Sequence, residues 1–142
     1  MREILFRAKR KNWRELPKEE WWVEGYPVKY QPCASKDEYV YGIVPTYASA
    51  LYIIEIDPET LCQYIYMNDK NGKRIWENDI VKHEVSDTIG TVKWYQEDYV
   101  GWCVDDIVID EQQFTDEMWN ECEVIGNIFD NPELLGQDGE ES

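Results

Sequence analysis

Short apolar runs broken by turn residues set the pattern of this chain, most clearly between Asp69 and Lys93. Ile75-Trp76 and Ile80-Val81 flank the polar Glu77-Asn78-Asp79. Thr88–Trp94 is dominated by β-branched and aromatic residues, which suit a pleated, half-buried strand. Asn71-Gly72 and Ser86-Asp87 punctuate the stretch. Asn-Gly tolerates the positive φ angles that a two-residue hairpin demands. The pattern predicts two or three short strands with tight turns, a β core on which the neighbours pack.

The flanks read the same way. Glu3–Ala8 is a first strand, and Lys9-Arg10-Lys11-Asn12 after it is a basic turn, expected as a solvated hairpin tip. Trp21–Val23 and Tyr26–Tyr30 read as two strands separated by Gly25, with Pro27 placing the second on an edge. Tyr39–Val44 and Tyr47–Ile56 are further strands, although the start of the latter also fits a helix. Asp57-Pro58 opens a helical turn, because proline suits its first position. Tyr64–Met67 then leads into the Asn-Gly turn. Val100, Trp102 and Val104 alternate as a strand with one bulky face. Thr115–Trp119 starts a short helix with acids in its first turn, and Glu123–Phe129 is the last strand. The chain divides into an N-terminal β subdomain (1–64), a C-terminal β unit (65–135) and a disordered acidic tail (136–142). Ile75, Ile80, Val92, Trp94, Val104, Val124 and Ile128 are the expected core of the second unit. Trp76 and Trp102 also point inward on this reading.

With 43% hydrophobic and 14% aromatic residues the chain is too apolar to be disordered. No apolar run approaches a membrane span, and Met1–Phe6 lacks the apolar region of a signal peptide, so a cytoplasmic protein is expected. Cys33, Cys62, Cys103 and Cys122 form no CxxC pair, which favours buried thiols over a zinc site. The charge is uneven. Residues 1–36 carry a net +4 and residues 37–142 a net −20, with no Lys, Arg or His after Lys93. A surface of that sign repels phosphate backbones, so nucleic-acid binding by most of the chain is not expected.

Three blocks resemble the YopX family of small phage and prophage proteins. They are Arg2-Glu3-Ile4 with Phe6-Arg7; Asp57-Pro58-Glu59-Thr60 with Gln63-Tyr64, continuing to Asp69–Ile75 and Glu77–Val81; and Val124–Ile128 with Asn131-Pro132-Glu133-Leu134. The family usually has Gly where Asn78 stands, and Asn replaces it well where φ is positive. The resemblance implies a mainly β protein with an SH3-like small barrel in its C-terminal half, over about residues 69–129. It implies no activity and no catalytic residues.

Candidate chemistry is sparse. His83, the only histidine, lies between Lys82 and Glu84 and is expected at a surface or an edge strand; no G-x-S-x-G nucleophile motif accompanies it. Asp79, Asp105, Asp106, Asp110 and Glu111 are of the right type to hold Mg²⁺ or Ca²⁺ for phosphoester cleavage. Acids fill every loop here, however, and a solvated acidic face is the plainer reading. No Gly-rich phosphate loop is present. The expectation is a non-enzymatic accessory protein with no cofactor and no metal, which binds another protein or assembles with itself. Its partner face is the acidic group Asp105, Asp106, Asp110, Glu111, Asp116 and Glu117. The rival readings are an acidic DNA mimic that occupies a host DNA-binding protein, a metal-dependent nuclease, and nucleic-acid binding through the SH3-like barrel and the basic arm of residues 2–14.

Overall fold

The structure, a computed structural model, describes residues 4–32, 38–47, 52–96, 101–104 and 116–135. The chain folds as two compact units that divide between Gln63 and Tyr64. Both are antiparallel β, as the alternation and turn chemistry predict.

In the first unit β1 (Phe6–Lys9), β2 (Trp22–Tyr30), β3 (Val40–Pro45) and β4 (Ile54–Glu55) lie in the order β4-β3-β2-β1. The start of β5 (Cys62–Asn68) adds to β1 through Phe6↔Gln63 and Arg7↔Cys62. Ala8, Val23, Ile43, Ile54 and Ile56 form the core, with Leu61 packed against it. Beyond β4 the chain returns to the end of β1: Arg10 bridges Ile56, Lys11 N–H donates to the Glu55 carbonyl at 3.0 Å, and Asp57 N–H donates to the Lys9 carbonyl at 2.9 Å. This seam brings residues distant in sequence to one end of the unit.

Two expectations change here. Gly25 does not separate two strands: β2 runs unbroken from Trp22 to Tyr30. Pro27 therefore lies in a strand that is internal to the sheet order. Pairing with β1 ends at Phe6↔Gly25, however, while pairing with β3 continues to Tyr30↔Val40. At Pro27 the strand has a neighbour on one side only, which is where a residue lacking an N–H is tolerated.

In the second unit β5 continues and pairs with β6 (Arg74–Trp76). A four-stranded sheet follows in the order β10-β7-β8-β9, from β7 (Asp79–His83), β8 (Thr88–Tyr95), β9 (Gly101–Val104) and β10 (Cys122–Asn127). The helix α1 (Asp116–Asn120) precedes β10. Among the described residues β9 and β10 are the two edges with no ladder between them, so the sheet is open where the resemblance implies an SH3-like barrel. The Asn-Gly turn also differs. The hairpin closes at Asn68↔Arg74, and Asn71 does not take a positive φ. Instead Gly72 N–H donates to the Asp69 carbonyl, and Gly72 alone in that turn takes the left-handed conformation, at φ 80°. Asn78 does take it, at φ 71°, as its substitution for the family's usual glycine predicts.

Ile75, Ile80, Val92 and Val104 are buried, while Val124 and Ile128 are half-buried. Trp76 is buried as expected. Trp94 is a correction, at 46% exposure, and Trp102 is half-buried. Both sit one layer beyond the buried pair Val92↔Val104; Trp102 packs against that core, and the Trp94 ring meets Trp102 edge to face at 5.1 Å. Val92→Ala is expected to cost on the order of 2–3 kcal/mol in urea unfolding, the usual loss for a fully buried side chain left with a cavity. A change within experimental error would mean that the site collapses without a void.

Candidate binding groove

The end of β1 is built around a cation. Lys9 closes the strand in the sheet, and the chain then makes two 3₁₀ turns, Trp13–Glu15 and Lys18–Glu20, before it enters β2. Backbone and indole bonds stitch this excursion down: Arg10 N–H donates to the Trp21 carbonyl at 2.8 Å, and Trp21 Nε1 donates to the Leu16 carbonyl at 2.9 Å. The expectation of a solvated hairpin tip holds at Lys11 and Asn12, which are exposed, and is corrected at Lys9. Lys9 is 1% exposed, with its ammonium 3.7 Å from the Trp13 ring centre, 4.3 Å from Trp21 and 5.7 Å from Trp22. A buried ammonium costs several kcal/mol unless it is compensated, and ring faces supply that compensation. Trp13 Nε1 also donates to Asp57 Oδ2 at 3.4 Å, which ties the cage to the seam.

Outside the cage lies a groove. Its first cleft, about 580 Å³, is lined by Arg10, Lys11, Arg14, Glu15, Ile54 and Glu55 among others. Arg14 lies over the Trp13 ring at 4.3 Å, which restricts its long side chain without neutralising it. A second cleft of about 420 Å³ shares Lys11 and Glu55 and continues to Glu38, Tyr39, Tyr41 and Asp57. A third, about 190 Å³, adjoins it at Tyr41 and Ile56 and is lined by Pro27, Val28 and Leu61. Lys11 and Glu55, paired at 2.6 Å, stand where the first two clefts meet. The hydrogen bond from Lys11 to Glu55, then the carboxylate's charge, raise the lysine's pKa. Exposed on both sides, such a pair contributes little to stability and yields readily to a ligand. Tyr39 and Tyr41 project from the same face of the β3 region and are 56% and 38% exposed. Lys29, the cross-strand partner of Tyr41, lies over both rings at 4.6 and 5.6 Å.

The expected site residues fall elsewhere. Asp105, Asp106, Asp110 and Glu111 lie outside the described residues, as does the tail 136–142. Asp116 and Glu117 open α1, but their side chains also lie outside the description. Asp79, a candidate metal ligand, is buried in a structural role: its Oδ2 accepts from Trp76 N–H at 2.8 Å. Among the described residues no group of three or more His, Cys, Asp or Glu is placed to hold a metal ion.

His83 is buried rather than exposed, and β7 lies between β10 and β8 rather than at an edge. Its Nδ1 accepts from Ser86 N–H at 3.3 Å and lies 2.7 Å from Ser86 Oγ, which leaves Nε2 to donate to Glu121 at 3.2 Å. The ring thereby braces the β7–β8 turn against the start of β10. Cys62, Cys103 and Cys122 are thiols, and Cys62 and Cys122 are buried. Burial, then the charges of Glu121 and Asp69, push the Cys122 pKa up to about 12. It stays protonated at neutral pH, the form in which a thiol is a poor nucleophile.

The polar residues that carry the family motifs are likewise occupied by backbone. Asp69 Oδ1 accepts from Asn71 and Lys73 N–H, and Oδ2 from Val124 N–H, each at 2.9 Å. Asp57 Oδ1 caps the 3₁₀ turn Pro58–Thr60 through Glu59 N–H at 3.2 Å. Asn127 Oδ1 accepts from Phe129 and Asp130 N–H at 3.0 and 2.9 Å. These side chains hold turns and strand junctions of the fold. In the groove, by contrast, charged and tyrosine side chains face solvent in a concave surface.

This is a protein of two small antiparallel β units with a cation-centred seam in the first. The YopX protein family model matches residues 6–136, and the chain belongs to that family. A similar solved structure is the crystal structure of protein EF1440 from Enterococcus faecalis, 20% identical, with a TM-score of 0.54 over 95% of this chain and 99% of that one. At that identity the likeness establishes the fold. No curated protein matches the chain. No helix among the described residues is long and apolar enough to cross a membrane.

Groove-forming residues were visible in the sequence only singly. Arg10, Lys11 and Arg14 read as a basic turn, and Tyr39 and Tyr41 as strand residues. The seam at Arg10↔Ile56 brings them together, and no local pattern encodes that pairing.

Proposed function

We propose that the protein is a non-enzymatic accessory protein of phage or prophage origin that works by binding another protein through the groove of its N-terminal unit. One observation carries this reading. Two clefts that meet at Lys11 and Glu55 form a run of exposed charged and tyrosine side chains over a rigid β seam. Rigid strands that present a few tyrosines and charges in a concave surface match the way folded modules capture protein segments, with little ordering cost on the module's side.

The test is site-specific photo-crosslinking in the producing cell, with the crosslinking residue at Tyr41 in one variant and at Asp110 in another. Discrete protein adducts at Tyr41 that disappear on adding Arg14→Glu are the expected result. Adducts confined to Asp110 and indifferent to Arg14→Glu would move the interface to the acidic C-terminal half and overturn the proposal.

A further inference from the structure

The charge of the groove changes sign along its length, and that decides what kind of ligand fits. The cleft beside Trp13 holds Arg10, Lys11 and Arg14 against Glu15 and Glu55. The cleft beyond Lys11 and Glu55 holds Glu38, Glu55 and Asp57 against Lys11, with Tyr39 and Tyr41 in its wall and the Lys29 ammonium over their rings. One end is therefore net positive and the other net negative, and Lys11 and Glu55 pair where the two meet. Lys29 already lies over Tyr39 and Tyr41, so these rings accept a cation on their faces. A polyphosphate chain repeats one charge and would meet the Glu38 and Asp57 carboxylates at the far end. A uniformly acidic or uniformly basic segment is mismatched at one end for the same reason.

Resting on the function proposed above, we infer that the groove binds an extended polypeptide segment of ordered charge, with carboxylates at one end and Lys or Arg at the other. The ligand's carboxylates sit against Arg10 and Arg14, where the planar guanidinium forks suit them. Its basic side chain lies beside Glu38 and the Tyr39 and Tyr41 rings. The Lys11–Glu55 pair exchanges partners with the ligand backbone or opens as the segment crosses it. Specificity on this account comes from the order of charges, because the wrong order places like charges together at both ends.

The probes are synthetic peptides of a dozen residues and identical composition, in which Glu and Lys are either segregated to opposite ends or alternated. An all-Glu peptide, an all-Lys peptide and a single-stranded oligothymidylate complete the set. Fluorescence anisotropy with the full chain at low salt is expected to show the segregated peptide bound at least about tenfold more tightly than any other probe. Arg14→Glu alone and Glu38→Lys alone should each remove that preference. Both residues are exposed, and circular dichroism checks that each variant retains its fold. Equal binding of segregated and alternated peptides, preference for the oligonucleotide or a uniform peptide, no binding by any probe, or a preference that survives either single variant would each overturn the inference. If crosslinks at Tyr41 still depend on Arg14 in that event, the binding function stands and only the assigned ligand chemistry falls.

Discussion

Asp69→Ala is expected to cost on the order of 3–5 kcal/mol, because one carboxylate satisfies three backbone donors that no water replaces in place. Asn71, Lys73 and Val124 N–H all donate to it at 2.9 Å, and Asp69 is 4% exposed. The first two bonds shape the loop between β5 and β6. The third reaches across 55 positions of sequence to the bulged stretch of β10, where pairing with β7 shifts between Val124 and Gly126. Removing the side chain leaves the loop without its internal acceptor and β10 without a tie to it. Hydrogen exchange should show the Val124 amide losing protection before the rest of β10. Asp69→Asn keeps one carbonyl oxygen but puts an NH₂ toward a donor, so its loss should be smaller yet clear. A cost below about 1 kcal/mol for Asp69→Ala in urea unfolding would mean that water fills the site and that the carboxylate is dispensable.

Gly25→Ala is the second large effect, on the order of 3 kcal/mol. A methyl at this position would run into the Val44 carbonyl oxygen and stand 2.8 Å from Ile43 Cγ2. Gly25 pairs with Phe6 on one side and Pro45 on the other, so the backbone cannot shift toward either neighbour without breaking a ladder. The constraint is space rather than backbone conformation, since Gly25 does not have a positive φ. Strain should therefore scale with side-chain size, and Gly25→Val should prevent the N-terminal unit from folding. Thermal unfolding is the measurement. A midpoint unchanged by Gly25→Ala would show that β2 and β3 separate at little cost, and would weaken the idea that the groove rests on a rigid frame.

The place of a charge along the chain does not tell what it does in the fold. The net charge of residues 37–142 draws attention to their acids. Yet Asp69 and Asp79 are buried braces, Asp57 caps a turn, and Glu38 and Glu55 join the basic residues of the first unit in one concave surface. Counts of charge along the sequence cannot separate an acid that holds a turn from one that faces a ligand. Both are single residues of the same type, and only the hydrogen bonds distinguish them.

What the sequence determined by itself is local. Asp57-Pro58 starts a 3₁₀ turn because proline fixes the φ that turn needs and the aspartate accepts from its free N–H. Asn78 takes φ 71° because its side chain tolerates that conformation, and the β-branched run Thr88–Trp94 can do little but extend. Each outcome depends on a residue and its immediate neighbours. Tertiary structure alone decided the burial of Lys9, His83 and Asp79, the exposure of Trp94, and the meeting of Lys11 with Glu55. For Lys9, His83 and Trp94 the surroundings include residues well separated along the chain: Asp57 for the Lys9 cage, Glu121 for His83, and the end of the Val104 layer for Trp94. Alternation fixes which face of a strand a residue occupies, but what covers that face is set by pairings that close only when the sheet forms.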